Sequence, residues 1–277
     1  MNANELRQTI SSAYTKALAA AGNTGGCCGV SSCCSPGRGS GDLAKMAGYD
    51  QERLDHAAAA ATSFGCGNPL AFSGVQAGQT VLDLGSGAGF DLLLAADKVG
   101  PQGLVIGVDM TEAMLAAARE NIRRAGRSNI EVRKGYIESL PVADSSVDWV
   151  ISNCVINLSP DKSTVFKEIN RVLKPGGRIS ISDIVAQDLP AGIRESLESH
   201  VACVAGAISE VEYLDGLRQA GIGDADVAER LVYSAGQLRA LFGEAQWAAS
   251  PSGDHEAVYA ALQGKIWSAK FVGGKSA

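Results

Sequence analysis

Short apolar runs and longer stretches with helical spacing alternate through the middle of this chain. Val81 to Leu84, LVIGVDM (Leu104 to Met110), IEVRKG from Ile130, VDWVISN (Val147 to Asn153) and RISISDI ending at Ile184 each read as a strand, the first and fourth as buried ones. Between them Leu92, Leu93 and Leu94, then Met114, Leu115, Ala118 and Ile122, then Val165, Phe166, Ile169, Val172 and Leu173 recur as helix faces. Punctuation agrees: Val99-Gly100-Pro101 closes the first helix and Thr111 caps the second. Ser159 caps the third with Pro160 at its first position, and Pro175-Gly176-Gly177 ends it. Strands alternating with helices predict an α/β fold, a right-handed parallel sheet with helices on both faces.

The flanks read differently. Leu6, Ile10, Tyr14 and Leu18 predict an amphipathic helix over about residues 5–21. Gly22 to Gly41, rich in Gly, Ser and Cys, is expected to lack regular structure, and Tyr49 to Ala61 reads as a helix. Beyond Asp188 the alternation stops. Ile193, Leu197 and Val201 form a helical stripe, Ser209 and Glu212 a capping box, and AQWAAS and GKIWSAKFVGG closing strands with a substrate-side element. The expected division is an extension over 1–48, a cofactor-binding domain over 49–190 and a C-terminal region over 191–277 packed on that core.

Composition narrows the function classes. A hydrophobic content of 46% in 277 residues supports a substantial core. The 24 Lys+Arg against 30 Asp+Glu give a net charge of −6 without a basic block, which argues against nucleic acid as a partner. No apolar run approaches the roughly 20 residues that span a bilayer, and the N-terminal stretch lacks a signal peptide's apolar centre. A cytoplasmic monomer without a membrane partner is expected.

The densest chemical signal follows the first strand. QTVLDLGSGAGFD, Gln79 to Asp91, puts Asp83 at the strand end and Gly85, Gly87 and Gly89 at alternate positions before a helix, with Ser86 inside the turn. Glycines so spaced let the backbone turn sharply and approach a ligand, while the helix presents free N–H groups to it. A dinucleotide fingerprint would draw a pyrophosphate there, but a carboxylate in the turn repels one and suits a cationic or zwitterionic ligand. S-adenosylmethionine, with its sulfonium and amino groups, meets that description, and D-x-G-x-G-x-G resembles motif I of class I methyltransferases. Asp109 ends the second strand, where a ribose diol is gripped in a doubly wound sheet, with Met110 beside it. Tyr136, Ile137 and Glu138 are placed to flank an adenine. Asn153 and Cys154, leaving the fourth strand, are expected to face the same crevice.

Seven cysteines remain: Cys27, Cys28, Cys33, Cys34, Cys66, Cys154 and Cys203. Without a signal peptide they point to metal, metalloid or redox chemistry ahead of structural disulfides. The two adjacent pairs are poorly built to bridge internally and lack the C-x-x-C spacing of zinc sites. Either they offer thiols to something else or they are incidental. Gly65 and Gly67 expose Cys66 on a turn, Cys154 leaves a strand end, and Cys203 lies beside the Ile193 stripe. Thiolates select soft ions and metalloids, and His56, His200 and His255 show no Cys/His zinc spacing. A three-thiolate pocket suits trivalent arsenic, which is pyramidal and carries a lone pair.

SFGCGNP, LDLGSGAGFD, VIGVDM, ISNCVINLSPDK, RVLKPGGRISISDI and CVAGA together resemble the arsenite methyltransferases that use S-adenosylmethionine, from about Tyr49 to Ile222. Motif I and VLKPGGR are shared with quinone and sterol methyltransferases. Cys66 in GCGN, Cys154 in SNCVINL and Cys203 before VAGA carry the specific part. The resemblance implies a Rossmann-like class I methyltransferase sheet, methylation of arsenite and methylarsenite, and a role in arsenic detoxification. It implies that Cys154 and Cys203 hold the arsenic and that Cys66 is a third ligand or acts in redox turnover. It also implies that an N-terminal thiol pairs with Cys66, with Cys33 or Cys34 nearest in sequence. A thiol reductant, glutathione or thioredoxin, would be co-substrate. Two other readings stand beside it: a quinone- or sterol-type methyltransferase, and a thiol protein that binds arsenic without turnover.

Overall fold

The computed structural model describes residues 2–22, 56, 59, 67–71, 73–189, 204, 206–234, 236–238, 260 and 262–277. Six of the cysteines, the Gly/Cys-rich stretch after Gly22, most of the Tyr49–Ala61 segment, the Ile193 stripe and AQWAAS lie outside the described residues.

The five apolar runs form parallel strands: β1 (Thr80–Leu84), β2 (Leu104–Asp109), β3 (Ile130–Lys134), β4 (Val147–Asn153) and β5 (Leu173–Ala186). With β6 (Asp226–Val232) and β7 (Ile266–Gly274) they make one seven-stranded sheet of order β3-β2-β1-β4-β5-β7-β6. The last strand in sequence slots between β5 and β6, antiparallel to both. The helices are α1 (Ala3–Gly22), α2 (Phe90–Val99), α3 (Glu112–Arg124), α4 (Lys162–Val172) and α5 (Glu210–Gln219).

Alternation along the strands divides the core. Leu82, Leu84 and Val150 bury on one face with Phe166 and Ile169 of α4, while Val81, Trp149 and Ile151 bury on the other with Leu92 and Leu93 of α2. Burial on both faces is why these strands read as nearly continuous apolar runs. A third cluster, with Cys154, Ile184, Leu189, Val204 and Ile266, sits at the carboxyl ends of β4 and β5.

Strand order reverses at β1, whose neighbours are β2 and β4. Ligands in such sheets bind outside the carboxyl ends at this reversal. The register puts Leu84 opposite Val108 and Ser152. The turn after β1, Asp109 to Thr111 after β2, and Asn153 to Cys154 after β4 therefore emerge side by side.

Two local details depart from the sequence reading. The cap of α4 is Asp161, whose carboxylate accepts from the Thr164 N–H at 3.0 Å and the Thr164 hydroxyl at 2.7 Å. Ser159 is unavailable for that role because its hydroxyl donates to Glu138 at 2.7 Å and accepts from the Asp161 N–H at 3.1 Å. β5 starts at Leu173 rather than Arg178, since Leu173 already pairs with Val147 before a register shift carries the chain through Pro175-Gly176-Gly177. Thr111 is the N-cap of α3 as read from the sequence, though its side chain makes no capping bond. The box at α5 forms, with Ser209 and Glu212 satisfying each other's backbone N–H.

Candidate active site

A cleft opens over the carboxyl ends of β1, β2 and β4, about 1010 Å³ counted out to its mouth. Its floor is the glycine turn. Gly85 takes φ 67°, and a Cβ there would lie 2.4 Å from Val155 Cγ2, so this position needs glycine on both counts. At Gly87, φ 52°, an added Cβ would meet nothing within 4 Å, and bare backbone faces open space. Gly89 ends the turn as the N-cap of α2. Ser86 Oγ is buried with no hydrogen-bond partner among the described residues.

Carboxylates crowd this floor. Asp109 is held by two backbone donors, Gly87 N–H to Oδ2 at 3.0 Å and Thr111 N–H to Oδ1 at 2.7 Å. Burial still raises its pKa, against the lowering effect of those bonds. Asp83 is pushed well above the ordinary carboxylate value by burial first, then by the charges of Asp91 and Asp109. A cation brought into the cleft relieves that repulsion. Met110, Ile137, Glu138 and Asn153 line the same cleft.

Cys154 lines it too, directly after β4. It is 5% exposed, takes φ 56°, and donates its N–H to the Ser182 carbonyl at 2.8 Å. Its sulfur is disulfide-bonded, to a partner outside the described residues. Neighbours in sequence of the other two singled-out thiols come close. Asn153 brackets Gly67, the residue after Cys66, by accepting its N–H at 3.1 Å and donating to its carbonyl at 2.6 Å. The same amide donates to Asp91 at 3.1 Å. Val204, the residue after Cys203, is fully buried in the cluster containing Cys154. Among the described residues no group of three His, Cys, Asp or Glu side chains is arranged to hold a metal ion.

Residues 76–236, more than half of the chain, match the methyltransferase-domain family. The chain is 49% identical over 185 residues to an arsenite methyltransferase of Halobacterium salinarum, covering 66% of this chain and 47% of the relative. It is 41% identical over 184 residues to another of Aquipseudomonas alcaligenes, covering 63% and 52%. Among solved structures, an arsenic(III) S-adenosylmethionine methyltransferase from Chlamydomonas reinhardtii superposes with a TM-score of 0.63 at 32% identity, covering 87% of this chain and 75% of that one. The chain belongs to the arsenite methyltransferase family. Its match spans about half the length of the two curated relatives.

One wall of the cleft escaped the sequence reading. Arg7, Ile10 and Tyr14 of α1 line it. Arg7 lies over the Tyr136 ring, 4.8 Å from its centroid, and pairs with Glu138 at 3.2 Å. Its Nε is buried without a hydrogen-bond partner among the described residues. The signal was present, since residues at i, i+3 and i+7 share a helix face, but periodicity does not say what that face covers. No described helix is long and apolar enough to cross a membrane.

Proposed function

We propose that this chain methylates trivalent arsenic, arsenite and then methylarsenite, using S-adenosylmethionine in the cleft and thiolates of Cys154, Cys203 and Cys66 as the arsenic ligands. The observation that carries the reading is Cys154 in the wall of the cleft whose floor is the Gly85 to Gly87 turn. The activity would serve arsenic detoxification.

The cleft fits the cofactor chemically. Three neighbouring acids, two of them with raised pKa, suit a sulfonium and an ammonium. The buried Ser86 hydroxyl, without a partner among the described residues, and the bare backbone at Gly87 offer polar contacts. Asp83, Gly85, Ser86, Gly87 and Gly89 would hold the methionine end, Asp109 and Met110 the ribose, and Ile137 and Glu138 the adenine. Asn153 would border both reactants. When bound, the cofactor supplies an electrophilic methyl group.

The remaining work falls to the chain. Each thiol that exchanges for an arsenic hydroxyl forms one As–S bond and releases one water, leaving the arsenic lone pair intact. Fixed thiolates make the encounter unimolecular, an advantage on the order of 7 kcal/mol when orientation is good. Apolar neighbours such as Ile184, Leu189 and Val204 exclude water from the Cys154 side. Methylation raises arsenic to the pentavalent state, and two electrons from a thiol pair that closes to a disulfide return it to the trivalent one. The disulfide at Cys154 supports such a pair. Glutathione or thioredoxin would reopen it by thiol exchange, with Cys33 or Cys34 as candidate relay thiols.

Counting free thiols in fully reduced protein during an arsenite titration tests the ligand set. The expected result is three thiols masked per arsenic in the wild type and two in Cys154→Ser. No thiol masking on arsenite addition would overturn the assignment.

A further inference from the structure

Downstream of Cys154 the chain makes a short 3-10 turn, Ile156–Leu158, that contains Asn157. This asparagine is 2% exposed. Its backbone N–H donates to Asp183 Oδ2 at 3.2 Å, and its side-chain amide donates to Asp183 Oδ1 at 2.9 Å and to the Ile184 carbonyl at 2.5 Å. Asp183, fully buried on β5, also accepts from the Ile184 N–H at 2.9 Å and the Tyr213 hydroxyl at 3.3 Å. Tyr213 is itself set by Phe271, stacked at 4.0 Å, and Phe166 at 5.2 Å. Asn157 is thus tied through Asp183 to β5, α4, α5 and β7, and neither Asn157 nor Asp183 lines the cleft.

Both flanks of this anchored residue lead to thiols. On one side is Cys154, whose left-handed backbone is unfavourable for a residue with a Cβ and persists only where surroundings over-determine it. The Cys154 N–H bond to Ser182 fixes the start of the turn, and the Asn157 bonds to Asp183 fix its end. On the other side is Gly206, packed so closely that an added Cβ would lie 2.0 Å from the Asn157 carbonyl oxygen. Gly206 lies two residues after Val204, which is buried in the Cys154 cluster and comes directly after Cys203 in sequence.

We propose that Asn157 is a positioning residue for the arsenic-binding thiols: it sets the turn from which Cys154 projects and, through its carbonyl, docks the stretch that follows Cys203. This rests on the reading of those thiols as arsenic ligands. Arsenic needs its sulfurs at fixed mutual distance, so its affinity depends on the anchor. The carboxylates that suit the cofactor lie on β1, β2 and α2, outside the network, and its affinity does not.

Asn157→Ala and Gly206→Ala test this in the full, reduced chain, with arsenite affinity read by thiol masking and S-adenosylmethionine affinity by calorimetry. Gly206→Ala keeps the Asn157 and Asp183 side chains and forces the two backbones apart at their contact, so it probes docking without removing the amide. Loss of a residue that orients ligands typically costs about 10–100-fold in affinity for the bound ion, and arsenite dissociation constants and KM are expected to rise by at least the lower figure. Cofactor affinity is expected to stay within a factor of about three, well short of the tenfold change that 1.4 kcal/mol produces. Unchanged arsenite affinity in both variants of a protein whose wild type binds arsenite overturns the proposal. Equal losses for arsenite and cofactor mark a merely structural residue and overturn it as well. A wild type that masks no thiols removes the underlying ligand assignment instead, and the proposal with it.

Discussion

Asp109 shows how one residue is pulled two ways. Burial favours its protonated form, while backbone N–H groups of Gly87 and Thr111 favour the carboxylate. The same two bonds tie the turn after β1 to the turn after β2, so Asp109 both shapes the cleft and presents a charge to it. Removing it would take away the acceptor proposed for the cofactor's ribose diol and leave two backbone donors without their partner. Hydrogen bonds to a charged group contribute about 1.5–3 kcal/mol. Asp109→Ala is therefore expected to weaken S-adenosylmethionine binding by about 10–100-fold. Calorimetry reads this directly, and an unchanged dissociation constant would remove Asp109 from the cofactor site.

At the scale of elements, the buried contact between β5 and the turn after β4 has a pH signature. Burial lifts Asp183 from its ordinary 3.8 to about 7, opposed by the Ile184 N–H, the Lys162 charge, the Asn157 N–H and the Tyr213 hydroxyl. Between those values the folded chain keeps a proton that the unfolded chain gives up. Stability from this group is complete below the lower pKa and is lost as pH rises through the upper one. Urea midpoints measured from pH 5 to pH 8 should fall in the wild type by more than in Asp183→Asn. Equal slopes would show that Asp183 does not carry the effect.

Elements also separate what the chain made legible from what it hid. β1, β2, β4, β5 and α2 to α4 were readable because burial writes apolar runs and helix stripes, whereas the edge strand β3, IEVRK, is only partly buried and carries a weaker signal. The α4 cap was misassigned because Ser159 and Asp161 are both good caps locally, and only the approach of Glu138 occupies the serine. The position of β7 between β5 and β6 depends on long-range pairing that no local pattern encodes. Asn153 was read as facing the cofactor. It does line the cleft, but its amide is engaged by Gly67 and Asp91, a contact across distant sequence.

Across the whole molecule, two layers of information meet in one cleft. The sheet and glycine turn are the part shared with other methyltransferases, and they were legible from spacing and charge. The thiol side was legible only as residue types, because bringing Gly67, Cys154 and Val204 together takes the ends of β4 and β5 and the third apolar cluster. Under the proposed function, arsenic specificity would be a property of the assembled molecule, with Cys154 at the junction of the two layers. The most direct test is to incubate reduced wild-type protein and Cys154→Ser with arsenite, glutathione and S-adenosylmethionine and to identify the arsenic products by mass spectrometry. Methylated arsenic from the wild type and none from the variant, with cofactor binding retained in both, is the predicted result. Methylation that survives in Cys154→Ser, or that is absent from the reduced wild type, would contradict the account.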